Sequence, residues 1–256
     1  TESMMMTACL AKGVTQIINA AMEPEITALA DYLNACGAKI SGAGTPEMII
    51  EGVEKLGAGQ YNLIPDRIEA GSLVVLGLLT GGKIRVTNCR PDHLEVAISL
   101  LQRAGADLEI GPDYILTKPS KFKGIELKTH EYPGFPTDLQ APFVVLLTQA
   151  LGQSLVHETI FEGRLFYTDK LTQMGADIIM CDPHRVVVNG ITKLRGKKLE
   201  SPDLRAGMAL LIAGLIAEGT TTIENIYQIE RGYEDIVARL QSLGAKIKKV
   251  DDCLIK

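Results

Sequence analysis

Arginine and aspartate recur in this chain where a helix should begin or a loop should turn. Proline stands shortly before aspartate in Pro65-Asp66-Arg67, Pro136-Thr137-Asp138 and Pro202-Asp203-Leu204-Arg205. Such pairs suit a helix N-terminus, the aspartate accepting from free backbone N–H groups. Charged loops add Glu162-Gly163-Arg164 and Glu230-Arg231-Gly232, and two further copies read Glu23-Pro24-Glu25 and Arg90-Pro91-Asp92. Arg67, Arg164, Arg205 and Arg231 are candidates for one electropositive cleft, because the planar guanidinium fork bonds both oxygens of a carboxylate or phosphate at once. Each group also has a plainer reading: a single aspartate of this kind is a cap, and a single charged loop residue is a solvated turn. Recurrence favours a site. If the segments are related by a pseudo-rotation, their helix starts converge on one end of a domain, where an anion is welcome.

The elements that must carry these groups repeat at roughly 69 residues, four times. Each copy reads as an apolar helix closed by a glycine (Gly13, Gly82, Gly152, Gly219), a short strand, a charged loop, a second helix, and a glycine turn into a β-hairpin. The second helix ends alike in every copy: Leu33-Asn34-Ala35-Cys36-Gly37-Ala38, Leu101-Gln102-Arg103-Ala104-Gly105-Ala106, Leu171-Thr172-Gln173-Met174-Gly175-Ala176 and Leu240-Gln241-Ser242-Leu243-Gly244-Ala245. The first helix is apolar nearly all round, as over 206–216, and a helix with no polar face is buried on every side. The second is amphipathic: over 233–240, Ile236, Val237 and Leu240 share one face. Strands such as 83–87 and 185–188 alternate or run β-branched, as half-covered strands do. The pattern predicts an α/β fold with helices inside and sheets outside.

Composition narrows the function. With 46% hydrophobic and 22% charged residues, the 256-residue chain buries a sizeable core. A net charge of −5 and a pI near 5.5 argue against a nucleic-acid-binding surface and leave room only for local basic clusters. Cys9, Cys36, Cys89, Cys181 and Cys253 are odd in number, scattered, and never in a Cys-x-x-Cys pair, so neither a disulfide framework nor a zinc site is expected and a reducing cytoplasm fits. His93, His130, His157 and His184 show no ligand spacing. The longest apolar run, 206–217, is too short to span a bilayer and no signal sequence precedes it, so a soluble protein without membrane contact is expected. The chain opens at Thr1 directly in the first apolar helix, and reads as the downstream part of something longer.

Several segments carry a family likeness: Gly59-Gln60-Tyr61 with Pro65-Asp66-Arg67-Ile68-Glu69-Ala70-Gly71, Phe135-Pro136-Thr137-Asp138-Leu139-Gln140-Ala141, Glu158-Thr159-Ile160-Phe161-Glu162-Gly163-Arg164, Asp203-Leu204-Arg205-Ala206, Ala217-Glu218-Gly219-Thr220-Thr221 and Ile229-Glu230-Arg231-Gly232-Tyr233-Glu234. Over the whole chain the sequence resembles the enolpyruvyl transferases that act on UDP-N-acetylglucosamine in peptidoglycan synthesis. The resemblance implies an inside-out α/β barrel of repeated units with buried helices and outer sheets, built as two three-unit lobes with the active site between them. Residues 1–64 would then be the last unit of a partial upstream lobe, and 65–256 one complete lobe of three units. The upstream lobe of the same enzyme would be its partner, and its lysine-asparagine pair and cysteine- or aspartate-bearing loop have no counterpart here. None of the five cysteines is given a catalytic role.

The implied reaction moves the enolpyruvyl group of phosphoenolpyruvate to the sugar 3′-hydroxyl and releases phosphate, with no metal and no organic cofactor. By position, Asp138 resembles the carboxylate that contacts the sugar hydroxyl as general base. Thr137 stands beside it, and Ile160, Phe161 and Arg164 resemble a segment facing the nucleotide sugar. Asp203, Arg205 and Arg231 resemble the group that holds phosphoenolpyruvate, with Asp203 and Arg231 counted with Asp138 as catalytic. Glu23 and Asp66 stand open between substrate contact, helix cap and inter-lobe contact. Two other readings remain: the shikimate-pathway enolpyruvyl transferase, and a non-catalytic repeat scaffold whose charged loops scatter. A chain lacking most of one lobe is expected not to turn over by itself.

Overall fold

The computed structural model describes residues 1–250, and within them the chain divides into two compact units. One comprises Thr1–Asp66 with His130–Pro136, the other Arg67–Thr129 with the residues from Thr137 onward. In the first, strands Val14–Ile18, Glu47–Glu51 and Lys39–Ser41 lie side by side in that order, all antiparallel. Met48 and Ile50 alternate inward along the central strand and meet Ile26, Ala30 and Leu33 of the helix Pro24–Ala35. The opening helix, expected to be buried all round, is the two-turn Glu2–Ala8. It covers only Met5 and Ala8 and leaves Met4 and Met6 in solvent, because it packs on one side only, against Pro24–Ala35 and Glu47–Glu51.

Three helices form the centre of the second unit: Arg67–Leu79, Gln140–Thr148 and Leu204–Ile216, each in contact with the other two. Every residue of Gln140–Thr148 is buried, as are Ala206 through Ala213. No solvent-facing stripe exists on them, so only a surrounding of protein is compatible with their sequence. Around them lie three open sheets. Arg85–Thr87, Tyr114–Thr117 and Leu108–Ile110 form an antiparallel sheet in that order. Glu126–Lys128, Gly152–His157, Arg185–Gly190 and Asp177–Asp182 form a mixed one, and Lys198–Glu200 pairs parallel with Thr222–Glu224. Val186 and Val188 point inward while Arg185 and Val187 alternate outward. None of the sheets closes on itself among the described residues. No helix among them is long and apolar enough to cross a membrane. Cys9, Cys36 and Cys89 are buried free thiols and Cys181 an exposed one; Cys253 lies outside the described residues.

The glycine signals resolve into two kinds. The apolar helices end at Ala8, Leu79, Thr148 and Ile216, before the glycines expected to close them, and the glycines serve the following turn. Gly13, Gly152 and Gly219 take φ of 90–95°, whereas in the second copy the left-handed residue is Gly81, at φ 67°, and not Gly82. The second glycine is a true helix stop. In all four copies the glycine N–H bonds the carbonyl three residues back and the following alanine N–H bonds the leucine carbonyl five back, from Leu33 to Ala38, Leu101 to Ala106, Leu171 to Ala176 and Leu240 to Ala245. This double closure needs a left-handed residue, supplied by Gly37, Gly105, Gly175 and Gly244 at φ 93–103°. The last of these helices begins only at Ile236, because Asp235 takes φ 46° and separates it from the turn Tyr227–Glu230. No strand follows Gly244 up to residue 250, so the fourth expected hairpin is not found there.

Both stops can be compared in one unit. A Cβ at Gly244 meets nothing within 4 Å, whereas one at Gly105 would overlap the Lys121 carbonyl oxygen. Gly244→Ala should therefore cost only the left-handed penalty, about 1 kcal/mol, and Gly105→Ala more than about 2 kcal/mol. Urea denaturation of the two variants measures the difference, and equal losses would contradict it.

Candidate active site

The helix Gln140–Thr148 is led in by one 3-10 turn, Thr137–Leu139. Leu139 is fully buried and lies on the helix Arg67–Leu79 at Gly71, where an added Cβ would come within 2.7 Å of Leu139 Cδ1. With that neighbour pinned, Asp138 is held between two arginines. Arg164 Nη2 donates to Asp138 Oδ1 at 2.7 Å, while Arg205 reaches Oδ2 from Nε at 3.0 Å and from Nη2 at 2.8 Å. Arg164 begins the turn Arg164–Tyr167, which the left-handed Gly163 (φ 70°) aims, and its guanidinium lies 5.0 Å from the centre of the Phe161 ring. Arg205 sits in the first turn of Leu204–Ile216. That helix is capped by Asp203, whose carboxylate accepts from the N–H groups of Arg205 at 2.7 Å and Ala206 at 2.9 Å.

The triad is half out of water: side-chain exposure is 17% for Arg164, 18% for Arg205 and 33% for Asp138. Burial pushes the Asp138 carboxyl up, but the facing Arg205 and Arg164 outweigh it and hold the group below the ordinary carboxylate range. Burial likewise works against the Arg205 charge, and Asp138 together with the Tyr233 hydroxyl restores it. Tyr233 is itself fully buried, its hydroxyl 3.1 Å from Ser72 Oγ on the first central helix. The three side chains together carry one net positive charge, and the arginine forks suit a carboxylate or phosphate.

Behind this triad stands Glu158, fully buried at the end of Gly152–His157. Its Oε1 accepts from Thr129 Oγ1 at 3.0 Å, Ile160 N at 2.8 Å and Phe161 N at 3.2 Å; its Oε2 accepts from Thr137 Oγ1 at 2.8 Å. Thr137 Oγ1 in turn accepts from Arg164 Nη1 at 2.8 Å.

Comparison with known proteins now bears on this site. The family model described as EPSP synthase (3-phosphoshikimate 1-carboxyvinyltransferase) matches residues 1–240. The chain belongs to the EPSP synthase family of carboxyvinyl transferases. Among relatives of this family, the UDP-N-acetylglucosamine 1-carboxyvinyltransferase of Shewanella frigidimarina is 48% identical over 252 residues, 98% of this chain and 60% of that protein. The enzyme of the same name from Desulfosudis oleivorans is 45% identical over 251 residues, again 98% and 60%. The chain thus spans about 60% of the length of these relatives. Among solved structures, the enolpyruvyl transferase NikO from Streptomyces tendae superposes with a TM-score of 0.87 at 28% identity, over 94% of this chain and 58% of that one. An EPSP synthase from Acinetobacter baumannii gives 0.66 at 20% identity, over 96% and 60%, a likeness of fold. The α/β fold is that of the enolpyruvyl transferases.

Within this member of the family, the residues expected from sequence separate into three groups. Thr137, Asp138, Arg164 and Arg205 come together, with Ile160 and Phe161 joined to them through Glu158. Asp203 is beside them as a cap. Arg231 is exposed, and its guanidinium donates to Gln228 Oε1 at 3.4 Å; Tyr233 is the member of that segment that reaches Arg205. Glu23 and Asp66 belong to the other unit. Glu23 precedes Pro24–Ala35 without a side-chain cap bond, and its Oε2 is buried with no hydrogen-bond partner. Asp66 is exposed directly before Arg67–Leu79. Sequence reading gave no role to Glu158, Tyr233 or Thr129. No sequence signal marks Glu158: the strand before it, Gly152-Gln153-Ser154-Leu155-Val156-His157, is largely polar, and the burial that demands partners for the carboxylate comes from the fold.

Two expectations follow. Asp138, with its folded pKa below the unfolded one, contributes stability that is full above the ordinary carboxylate range and is lost as pH falls through the depressed value. The urea midpoint advantage of the native chain over Asp138→Asn should therefore shrink between about pH 6 and about pH 3. An advantage unchanged over that interval would mean Asp138 is not held as described. At the neighbouring helix, Asp203→Ala should cost about 1 kcal/mol and Asp203→Asn less than about 0.5, since asparagine still caps; thermal unfolding of the pair reads it.

Proposed function

We propose that this site serves enolpyruvyl transfer from phosphoenolpyruvate to the 3′-hydroxyl of UDP-N-acetylglucosamine, with release of phosphate. The observation that carries the reading is Asp138 held at 2.7–3.0 Å by Arg164 and Arg205 beside the Ile160–Phe161 backbone. In the proposed sequence the sugar oxygen bonds the central carbon of phosphoenolpyruvate while a proton goes to the methylene carbon. Phosphate then leaves as the new methyl group gives a proton back, restoring the double bond. Asp138 is the proposed acceptor of the hydroxyl proton. Both of its oxygens are engaged by arginines, so it becomes a useful base when an incoming anion draws one guanidinium away. Arg205, Arg231 and Asp203 are the proposed phosphoenolpyruvate side, the arginines neutralising carboxylate and phosphate. Thr137, Ile160, Phe161 and Arg164 are the proposed nucleotide-sugar side. Acid–base chemistry and fixed charge suffice for these steps without metal or organic cofactor.

The same reading takes residues 65–256 as a complete lobe of three repeated units, helices inside and sheets outside in an inside-out barrel. Residues 1–64 are then the last unit of a second lobe, whose upstream part is the partner, in a cytoplasmic protein of peptidoglycan synthesis. Support comes from the element order helix, strand, helix, hairpin, seen over 2–51, 67–117 and 140–190. The scaffold alternative requires charged loops that scatter, and Asp138, Arg164 and Arg205 do not. The shikimate alternative has the weaker likeness, 20% against 48% identity. Phosphate release from phosphoenolpyruvate should depend on UDP-N-acetylglucosamine in the protein that carries this chain. Asp138→Asn should lower kcat by at least about a hundredfold. Selective use of shikimate 3-phosphate would overturn the assignment.

A further inference from the structure

Glu158 is a carboxylate with no exposure to water and no ion pair among the described residues, and the reaction proposed above does not use it. Such a group is costly to bury unless its oxygens are filled. Here they are filled by two hydroxyls and two backbone amides from three separate segments: Thr129, Thr137, and Ile160 with Phe161. The contacts close into a ring. Arg164 Nη1 donates to Thr137 Oγ1, the Thr137 hydroxyl spends its proton on Glu158 Oε2, Glu158 Oε1 receives the Phe161 amide, and the Phe161 ring lies back over the Arg164 guanidinium. Because Thr137 has one proton to give, Glu158 decides which way its hydroxyl points and so leaves its lone pairs to Arg164. The other fork of the same guanidinium is the one that holds Asp138 Oδ1.

We propose that Glu158 is a positioning residue: through Thr137 it sets the guanidinium of Arg164 on Asp138, and through two backbone amides it sets the Ile160–Phe161 segment that faces the nucleotide sugar. The second half rests on the function proposed above; the first half does not. Glu158 touches no reacting atom, so its effect is read through other groups.

The experiment is a double-mutant cycle of Glu158→Gln and Thr137→Val in the full chain, with two readouts. The first is the titration of the Asp138 carboxyl by carbon-detected NMR, where Arg164 and Arg205 are the facing charges. Thr137→Val changes no charge and should raise the midpoint by releasing Arg164. Glu158→Gln should raise it in the native background but not in the Thr137→Val background, where only the through-space loss of a negative charge remains and acts downward. Equal shifts in both backgrounds, or none in either, overturn the first half. The second readout is calorimetric titration with UDP-N-acetylglucosamine, which Glu158→Gln should weaken by about tenfold while the thermal midpoint stays within a few degrees. Unchanged affinity overturns the second half. Absence of binding by the native chain would instead strike the functional reading and leave the Asp138 titration to decide the first half. If Glu158→Gln fails to fold, Thr137→Val, on a half-buried side chain, supplies both readouts, and an unmoved Asp138 titration in it refutes the link.

Discussion

Three helices without a polar face constrain everything else in the larger unit. Gln140–Thr148 and the stretch Ala206 through Ala213 are buried throughout, so no residue along their lengths can carry a charge without losing its hydration. Polar chemistry is confined to their starts. There the first backbone N–H groups lack helical partners and the dipole favours negative charge. Asp203 answers that demand directly, as a cap. Asp138 and Arg205 occupy the same kind of place and face each other across two helix starts. The site is where it is because the interior of this unit has no room for it anywhere else.

A carboxylate between two arginines is an economical way to hold cations in readiness. Arg164 and Arg205 are more than four-fifths covered, and two guanidinium groups at that depth would repel and disorder one another without Asp138 between them. The carboxylate fixes both forks at hydrogen-bonding distance while leaving the three side chains with one net positive charge. An arriving anion competes for the arginines and leaves Asp138 less engaged, which raises its basicity as the ligand settles. In the proposed reaction, affinity for an anion and activation of a base are thereby coupled through one set of hydrogen bonds.

Local signals were legible in the sequence to the degree that their cause is local. The Leu-to-Gly-Ala helix stop reads correctly in all four copies, because a left-handed residue and two backbone bonds are decided within six residues. The three central helices read correctly because an all-apolar helix has one solution, whereas the short opening helix, read the same way, keeps Met4 and Met6 in solvent. The aspartates did not read alike from proline spacing alone. In Pro202-Asp203 the aspartate follows proline directly, takes extended φ −158° and reaches forward to cap the N–H groups of Arg205 and Ala206. In Pro136-Thr137-Asp138 the inserted threonine carries the aspartate into the 3-10 turn, where its carboxylate meets arginines instead. Side-chain direction also separates Arg231, which stays in solvent, from Tyr233, which goes in. Glu158 was invisible because its partners Thr129 and Thr137 are joined to it only by the tertiary fold.

What distinguishes one member of such a fold from another must lie outside the central helices. Their packing needs apolar volume and close approach, as at Gly71 under Leu139, and many sequences meet that need. The likeness to an EPSP synthase at 20% identity is a likeness of fold. Thr129, Thr137, Glu158 and the Ile160–Phe161 amides sit instead on the connections leading into and out of the helices and strands, where a change of residue alters hydrogen-bonding direction without opening a cavity. Connections of that kind can be rewritten while the core stands. The ring through Glu158 ties three of them together, so their geometry changes as a unit rather than residue by residue. A site specified this way inherits its location from the hydrophobic core and its selectivity from a polar network that the core neither requires nor dictates.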